Sequence, residues 1–329
     1  MPRSPEARRR RTILKYVLTA LILGVVGYYF WKQLSRNIDA LRSVDYSVDG
    51  WIVLAILTFA YAVTVSGRLW GAMVSQLSGK RVPPPEAVRV HCSSWLLKYI
   101  PGQMGSVVNK VAWASRWDLP KSLVTLTFIY ENVFLIIGSM VPTTVILLAM
   151  GALDLTGNHT LLIALLALVP IIALTNRRVF RWMTNLVAHR TLKRDIPAEY
   201  FLGSGQALKY QLWYMLPRVV NGIGVIAIAH SMFGSPARTW VPIICAYTIA
   251  GAVGIMAILV PSGLGVRESV FVFLLGPYLP VEQAIILSLA ARLFATLADL
   301  VVALVYLVLN TQKSRWTPQA TDAPQETQS

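Results

Sequence analysis

In "LVPSGLGVRESVFVFLL" (259–275) a proline, two glycines, an arginine and a glutamate fall within eight positions of an otherwise apolar run. Pro261 lacks a backbone donor and stops an incoming helix, while Gly263 and Gly265 admit positive φ and close backbone approach. A helix restarting near Val266 would aim free N–H groups at the turn, with Arg267 in its first turn. Those are the ingredients of an anion site. Glu268 lies about 100° around the helix from Arg267 and is directed to another partner, Arg292 or Arg218. The bland alternative is a kinked transmembrane helix whose arginine snorkels to the interface.

A second turn, "YIPGQMG" (99–105), offers the same parts: Pro101, Gly102 and Gly105, with Ser106 as a cap for the next half-helix and Asn109 and Lys110 in its first turns. Lys98 precedes the turn, and either lysine can instead snorkel. Elsewhere, ionisable residues deep in apolar segments are costly and by default mark a site or pathway. Glu131 sits about ten residues into its span, and Arg292 and Asp299, seven apart, share a helix face. With Glu268 and Arg218 these are candidates for switching ion pairs or coupling-proton carriers; Asp299 reads equally as a structural partner for an arginine, and Arg68 as an interface residue. Intramembrane cations outnumber carboxylates, which implies an anionic substrate bearing a phosphate. His91, His159, His189 and His230 are scattered without metal-ligand spacing, and no nucleophile elbow, phosphate loop or dinucleotide fingerprint appears. No metal or cofactor is called for.

The elements that must position these residues follow from composition. The 329 residues are 55% hydrophobic and 14% charged, with 10 Trp and 13 Tyr, the balance of a polytopic membrane protein. The net charge of +15 is gathered in short segments such as "RRRR" (8–11) and "NRRVFR" (176–181) between apolar runs. That is the positive-inside pattern, and no basic-aromatic module for nucleic acid accompanies it. Cys92 and Cys245 support neither a disulfide framework nor a zinc site.

Residues 1–12 read as a basic cytoplasmic N-terminus, and 13–31 as an uncleaved first span. The second span runs from Trp51 to about Leu77, and "GKRVPPPEAVR" (79–89) reads as a cytoplasmic connector stiffened by prolines. Spans at 122–150 and 161–175 precede the most basic loop, 176–209. Segment 91–121 must then begin and end on the inner side. It is too short to cross twice, so it reads as a re-entrant hairpin of two half-helices. Spans follow at 210–233, 240–260 and 283–310, with a returning arm at about 264–276. That arm, near ~20 Å of helix, favours a partial dip, with two full spans across 240–282 as the alternative. Residues 311–329 read as a disordered cytoplasmic tail.

"PGQMG" (101–105) and "PSGLG" (261–265) share Pro-x-x-x-Gly, each after a span with one arginine (Arg68; Arg218) and before a span with a charge (Glu131; Arg292). The pattern implies an inverted repeat, about 51–150 and 210–310, within one transmembrane domain at 13–310. The fold expected is all-α and polytopic, with about six to eight transmembrane helices and one or two re-entrant hairpins.

"LLKYIPGQMGSVVNKVAWA" (96–114), "IYENVFL" (129–135), "LVPSGLGVRESVFVFLL" (259–275) and "AARLFATLADLV" (290–301) resemble, in that order, the lysylphosphatidylglycerol synthase transmembrane family, related to the flippase domain of multiple peptide resistance factors. The resemblance implies a membrane-embedded lipid translocation domain with two broken-helix elements. The soluble synthase domain of larger members is absent from this sequence, so aminoacyl transfer is not implied. Where the family often has an arginine, about eight residues after the first proline, this sequence has Asn109 beside Lys110.

The expectation is therefore an inner-membrane translocator of an anionic lipid or polyprenyl phosphate, with both termini cytoplasmic. Substrate contacts fall to Pro101, Gly102, Gly105, Lys110, Pro261, Gly263, Gly265, Arg267 and Arg292. Glu131, Glu268, Arg218 and Asp299 serve coupling. Assembly into a homo-oligomer stays open. The alternative function is a membrane-embedded enzyme or accessory subunit in glycolipid or polyprenyl-phosphate metabolism.

Overall fold

The computed structural model describes residues 49–98, 104–150, 169, 176–192, 195–256 and 265–312. Among these residues every regular element is a helix. The expected span 13–31, nearly all of 161–175, residues 99–103 and 257–264 of the two turns, and 313–329 of the C-terminal tail lie outside the described residues.

Helix α1 (Gly50–Ser78) starts where Asp49 Oδ1 accepts from the Trp51 and Ile52 N–H groups and ends at Gly79, whose φ of 69° lets the chain leave in the left-handed region. Helix α2 (Pro84–Trp95) corrects the connector read at 79–89: Pro84 and Pro85 open a helix instead of bridging two. A missing N–H costs nothing in a first turn, and a φ fixed near −65° is already helical. Only residues 79–83 remain as connector.

Helix α3 (Met104–Ala114) begins two residues before Ser106, so that serine is a buried first-turn residue and not the expected cap. Helix α4 (Lys121–Ala149) follows. The basic loop expected at 176–209 also changes character, for it contains helix α5 (Arg177–Leu192) and the start of helix α6 (Ser204–Phe233). Helices α7 (Trp240–Met256), α8 (Val266–Leu275) and α9 (Val281–Thr311) complete the described chain.

Five segments among the described residues are long and apolar enough to cross a bilayer, at 50–78, 121–146, 198–233, 237–256 and 281–311. Helix α9 leaves Leu300, Leu304, Leu307 and Val308 exposed, an apolar stripe suited to lipid. The molecule is an all-α polytopic membrane protein. Helices α2, α3 and α8 have 12, 11 and 10 residues, about 15–18 Å each, half a bilayer core.

Two buried clusters meet along α1 and α6. One gathers Phe59, Val225, Ile243, Phe271 and Leu287 from α1, α6, α7, α8 and α9. The other gathers Trp70, Trp113, Tyr130, Phe134, Phe180 and Tyr214 from α1, α3, α4, α5 and α6. Small residues let α2 lie directly on α1. A Cβ at Gly71 would stand 2.2 Å from the Ala87 Cβ, and one at Gly67 would stand 2.9 Å from the His91 Cβ. In a membrane, where lipid tails compete with apolar side chains, such close approach is a main source of helix association.

Gly71→Ala should therefore push α1 from α2 and lower stability by about 1–3 kcal/mol, read as a fall in melting temperature in detergent. Gly50→Ala, with nothing within 4 Å of the new Cβ, should leave it unchanged.

Candidate functional site

The first turn of α8 is built as its residue types dictate. Gly265 has φ 84°, and its N–H donates to Glu268 Oε2 at 2.7 Å, so the glutamate caps its own helix. The other Glu268 oxygen accepts from Arg292 Nη1 of α9. Of the two partners expected for Glu268, the structure selects Arg292.

With Glu268 turned to α9, Arg267 faces α7. Its guanidinium carbon stands 4.3 Å from the Tyr247 ring centroid, a cation–π contact. Tyr247, Arg267, Glu268, Phe271, Ser288 and Arg292 line a small, partly open cavity. From α6, Arg218 reaches the same face of α7. A Cβ at Gly251 would be 3.0 Å from Arg218 Nη1, and one at Gly254 would touch the Arg267 stem at 3.5 Å. Two glycines on α7 thus make room for two arginines. Arg218 Nε and Nη2 are buried without a hydrogen-bond partner, and Arg267 lies within electrostatic range of Arg218.

A third cation adjoins this pair. Lys98, where α2 runs out toward the first turn, bridges to Asp299 of α9 at 2.8 Å and lies over the Trp95 ring at 4.3 Å. The Trp95 indole N–H donates to the same carboxylate at 2.8 Å. Arg292 and Arg267 are both within electrostatic range of Lys98. Asp299, read equally as a coupling group and as a structural partner for an arginine, bridges to Lys98. Among the described residues, the carboxylates bridged to this group are Glu268, to Arg292, and Asp299, to Lys98.

Lys110, expected among the phosphate contacts, is elsewhere. It is 1% exposed, paired with Glu131 at 2.5 Å, and covered by the rings of Trp70 at 4.6 Å and Phe128 at 5.3 Å. In this conformation its charge is already spent on Glu131. His91 stands on the other side of that carboxylate, Nδ1 3.5 Å from Oε1. Asn109 donates to the Ser93 and Ser94 hydroxyls at 2.8 and 2.9 Å, tying α3 to α2. Arg68, on α1, is exposed.

The sequence reading missed one buried pair altogether. Arg89 clasps Glu86 through Nε and Nη2 at 2.7 Å each, Trp113 donates to the same carboxylate at 2.9 Å, and Arg89 reaches Asn310 of α9 at 3.4 Å. The 86/89 spacing was a helix signal hidden by the adjacent prolines. Tyr247 and Ser288 were missed because neither carries a charge. Of the residues expected at the tips, Gly105 and Gly265 are described, while Pro101, Gly102, Pro261 and Gly263 lie outside the described residues.

Five helical segments among the described residues, long and apolar enough to cross a bilayer and packed with short helices between them, define the class: a multi-pass membrane protein. The chain belongs to the family described as the lysylphosphatidylglycerol synthase TM region, whose model matches residues 12–303. No curated protein matches it.

Breaking a buried pair leaves a bare charge. Glu131→Ala should cost about 3–5 kcal/mol and depress the melting temperature sharply. Removing both charges, as Lys110→Met with Glu131→Leu, should recover most of that loss in the same thermal assay.

Proposed function

We propose that this protein translocates a phosphate-bearing anionic lipid, or a polyprenyl phosphate, between the leaflets of the inner membrane. The observation that carries this reading is the pair Arg218 and Arg267, which share the Tyr247 face of α7 without a carboxylate on either among the described residues. An unpaired guanidinium shielded from water is expensive, and a phosphate forking between two of them would supply charge and hydrogen bonds together. The aromatic wall and Ser288 fit a polar headgroup at the mouth of an apolar path.

The order of elements supports a translocation mechanism. Two half-length helices, α2 and α3, lie between the long α1 and α4, and between the long α6 and α9 the half-length α8 follows α7, an order that suits an inverted repeat. In this reading both termini are cytoplasmic, the two Pro-x-x-x-Gly turns meet near the midplane, and Arg267 and Arg218 hold the phosphate. Arg292 exchanges between Glu268 and the headgroup. The Lys98 bridge to Asp299 joins one repeat to the other and must loosen for the site to change sides. The protein's part is binding and movement, with no covalent step.

The test is leaflet exchange in proteoliposomes with a panel of fluorescent anionic lipids and polyprenyl phosphates. Arg267→Ala should cut exchange of the preferred lipid by about 10–100-fold, the worth of one or two charge-assisted hydrogen bonds, with melting temperature unchanged. Full activity in the reconstituted variant contradicts the assignment. A covalently altered lipid recovered from the vesicles would instead identify an enzyme.

A further inference from the structure

The buried Lys110 and Glu131 pair belongs to a larger cluster that the anion site does not use. His91 (α2), Lys110 (α3), Glu131 (α4) and Tyr214 (α6) come from four helices, and each is at most 5% exposed. Glu131 is the centre: one oxygen takes Lys110, and the other faces His91 Nδ1 at 3.5 Å, with Tyr214 in electrostatic range. Three polar atoms around it, His91 Nδ1, His91 Nε2 and the Tyr214 hydroxyl, are buried with no hydrogen-bond partner.

Unsatisfied polar atoms of that kind cost about 1–3 kcal/mol each, and such groups call for a role. A neutral imidazole beside a carboxylate that is already shared is a vacant proton acceptor. Besides the Lys110 ammonium, which opposes the imidazolium, the described helices around it add little charge. Helix α1 presents the Trp70 indole and Gly67, while its one charged residue, Arg68, is exposed. Helix α7, against α4, carries neither a carboxylate nor a basic residue. Arg89, the other base of α2 within the helix, is clasped by Glu86, and Lys98 beyond its end bridges to Asp299. On α6 the neighbouring ionisable groups are Tyr210, bonded to Gln76 at 2.9 Å, and Arg218.

We propose that this cluster is a proton-binding site that sets the position of the α2–α3 pair. A proton from water adds to the free ring nitrogen of His91, and the resulting imidazolium donates through Nδ1 to Glu131. The cluster goes from neutral to a single positive charge, Glu131 is divided between two cations, and the tether from Lys110 on α3 weakens. Tyr214 and Arg218 lie four residues apart on α6, on one face, so the helix that touches the proton site also carries half of the arginine pair. Proton entry would therefore be coupled to anion occupancy. The use of the proton in transport rests on the translocation reading above; its binding does not.

The test takes the full chain in nanodiscs with spin labels at Val108→Cys on α3 and Leu304→Cys on α9, both exposed positions. Distances are measured between about pH 4 and 8, extending below the range in which a free imidazole charges, because burial and the Lys110 ammonium both oppose the imidazolium. The labelled protein should shift its distance distribution along a single-proton transition, matched by proton uptake with a pH dye. His91→Gln, which keeps a polar side chain and the Lys110–Glu131 pair, should abolish both. A distribution that ignores pH, or that still shifts in His91→Gln, overturns the proposal. Leaflet exchange on the same preparations separates the two claims: pH-dependent movement without exchange of any lipid upholds the proton site and rejects the translocator. Exchange with no pH-dependent movement does the reverse.

Discussion

A charge inside an apolar molecule must be answered by another charge, by hydrogen bonds or by a ligand, and the structure is organised around how each is answered. Glu86 and Arg89 answer each other within one turn of α2 and enlist Trp113. Glu131 answers Lys110 across helices under an aromatic lid. Glu268 answers Arg292, and Asp299 answers Lys98 with help from Trp95. Among the described residues Arg218 and Arg267 meet no carboxylate; Arg267 lines the cavity, and Arg218 stands behind it on the same face of α7. Desolvation does not favour leaving guanidinium groups in that condition, and the proposed anionic substrate is the partner that would complete the pair.

The helices make this arrangement affordable. Gly251 and Gly254 thin α7 where the two arginines pass, as Gly67 and Gly71 thin α1 where α2 lies on it. The half-length helices α2 and α3 carry buried polar residues, Glu86, Arg89, His91 and Lys110, into the interior. Helix α6 lies in both buried clusters, which places Tyr214 and Arg218 on a single rigid element between the carboxylate cluster and the cavity.

Much of this was legible in the sequence, and the exceptions have physical reasons. The ends of α1, α4 and α9 fell within two or three residues of the expected boundaries because long apolar runs flanked by charge admit one reading. The start of α2 did not, since three prolines signal a connector as strongly as a first turn, and only tertiary burial of Glu86 decides between them. Helix α5 hid inside a basic segment whose apolar residues, such as Phe180, pack on Tyr130. The identity of charged residues was readable, yet their partners were not. Lys98 and Asp299 lie 201 positions apart, and no local spacing encodes that pairing. Lys110 was assigned to the substrate on charge alone, whereas its position one turn deeper in α3 gives it to Glu131.

The most direct measurement of the central claim is where an anionic headgroup rests. A photo-crosslinking residue placed at Ser288, in the cavity, should capture a phosphate-bearing lipid in preference to a zwitterionic one. The same residue at Phe273, 81% exposed on α8, should capture both in proportion to their abundance. Equal, abundance-driven labelling at the two positions would contradict the account, because the cavity would then be no more than lipid-filled surface.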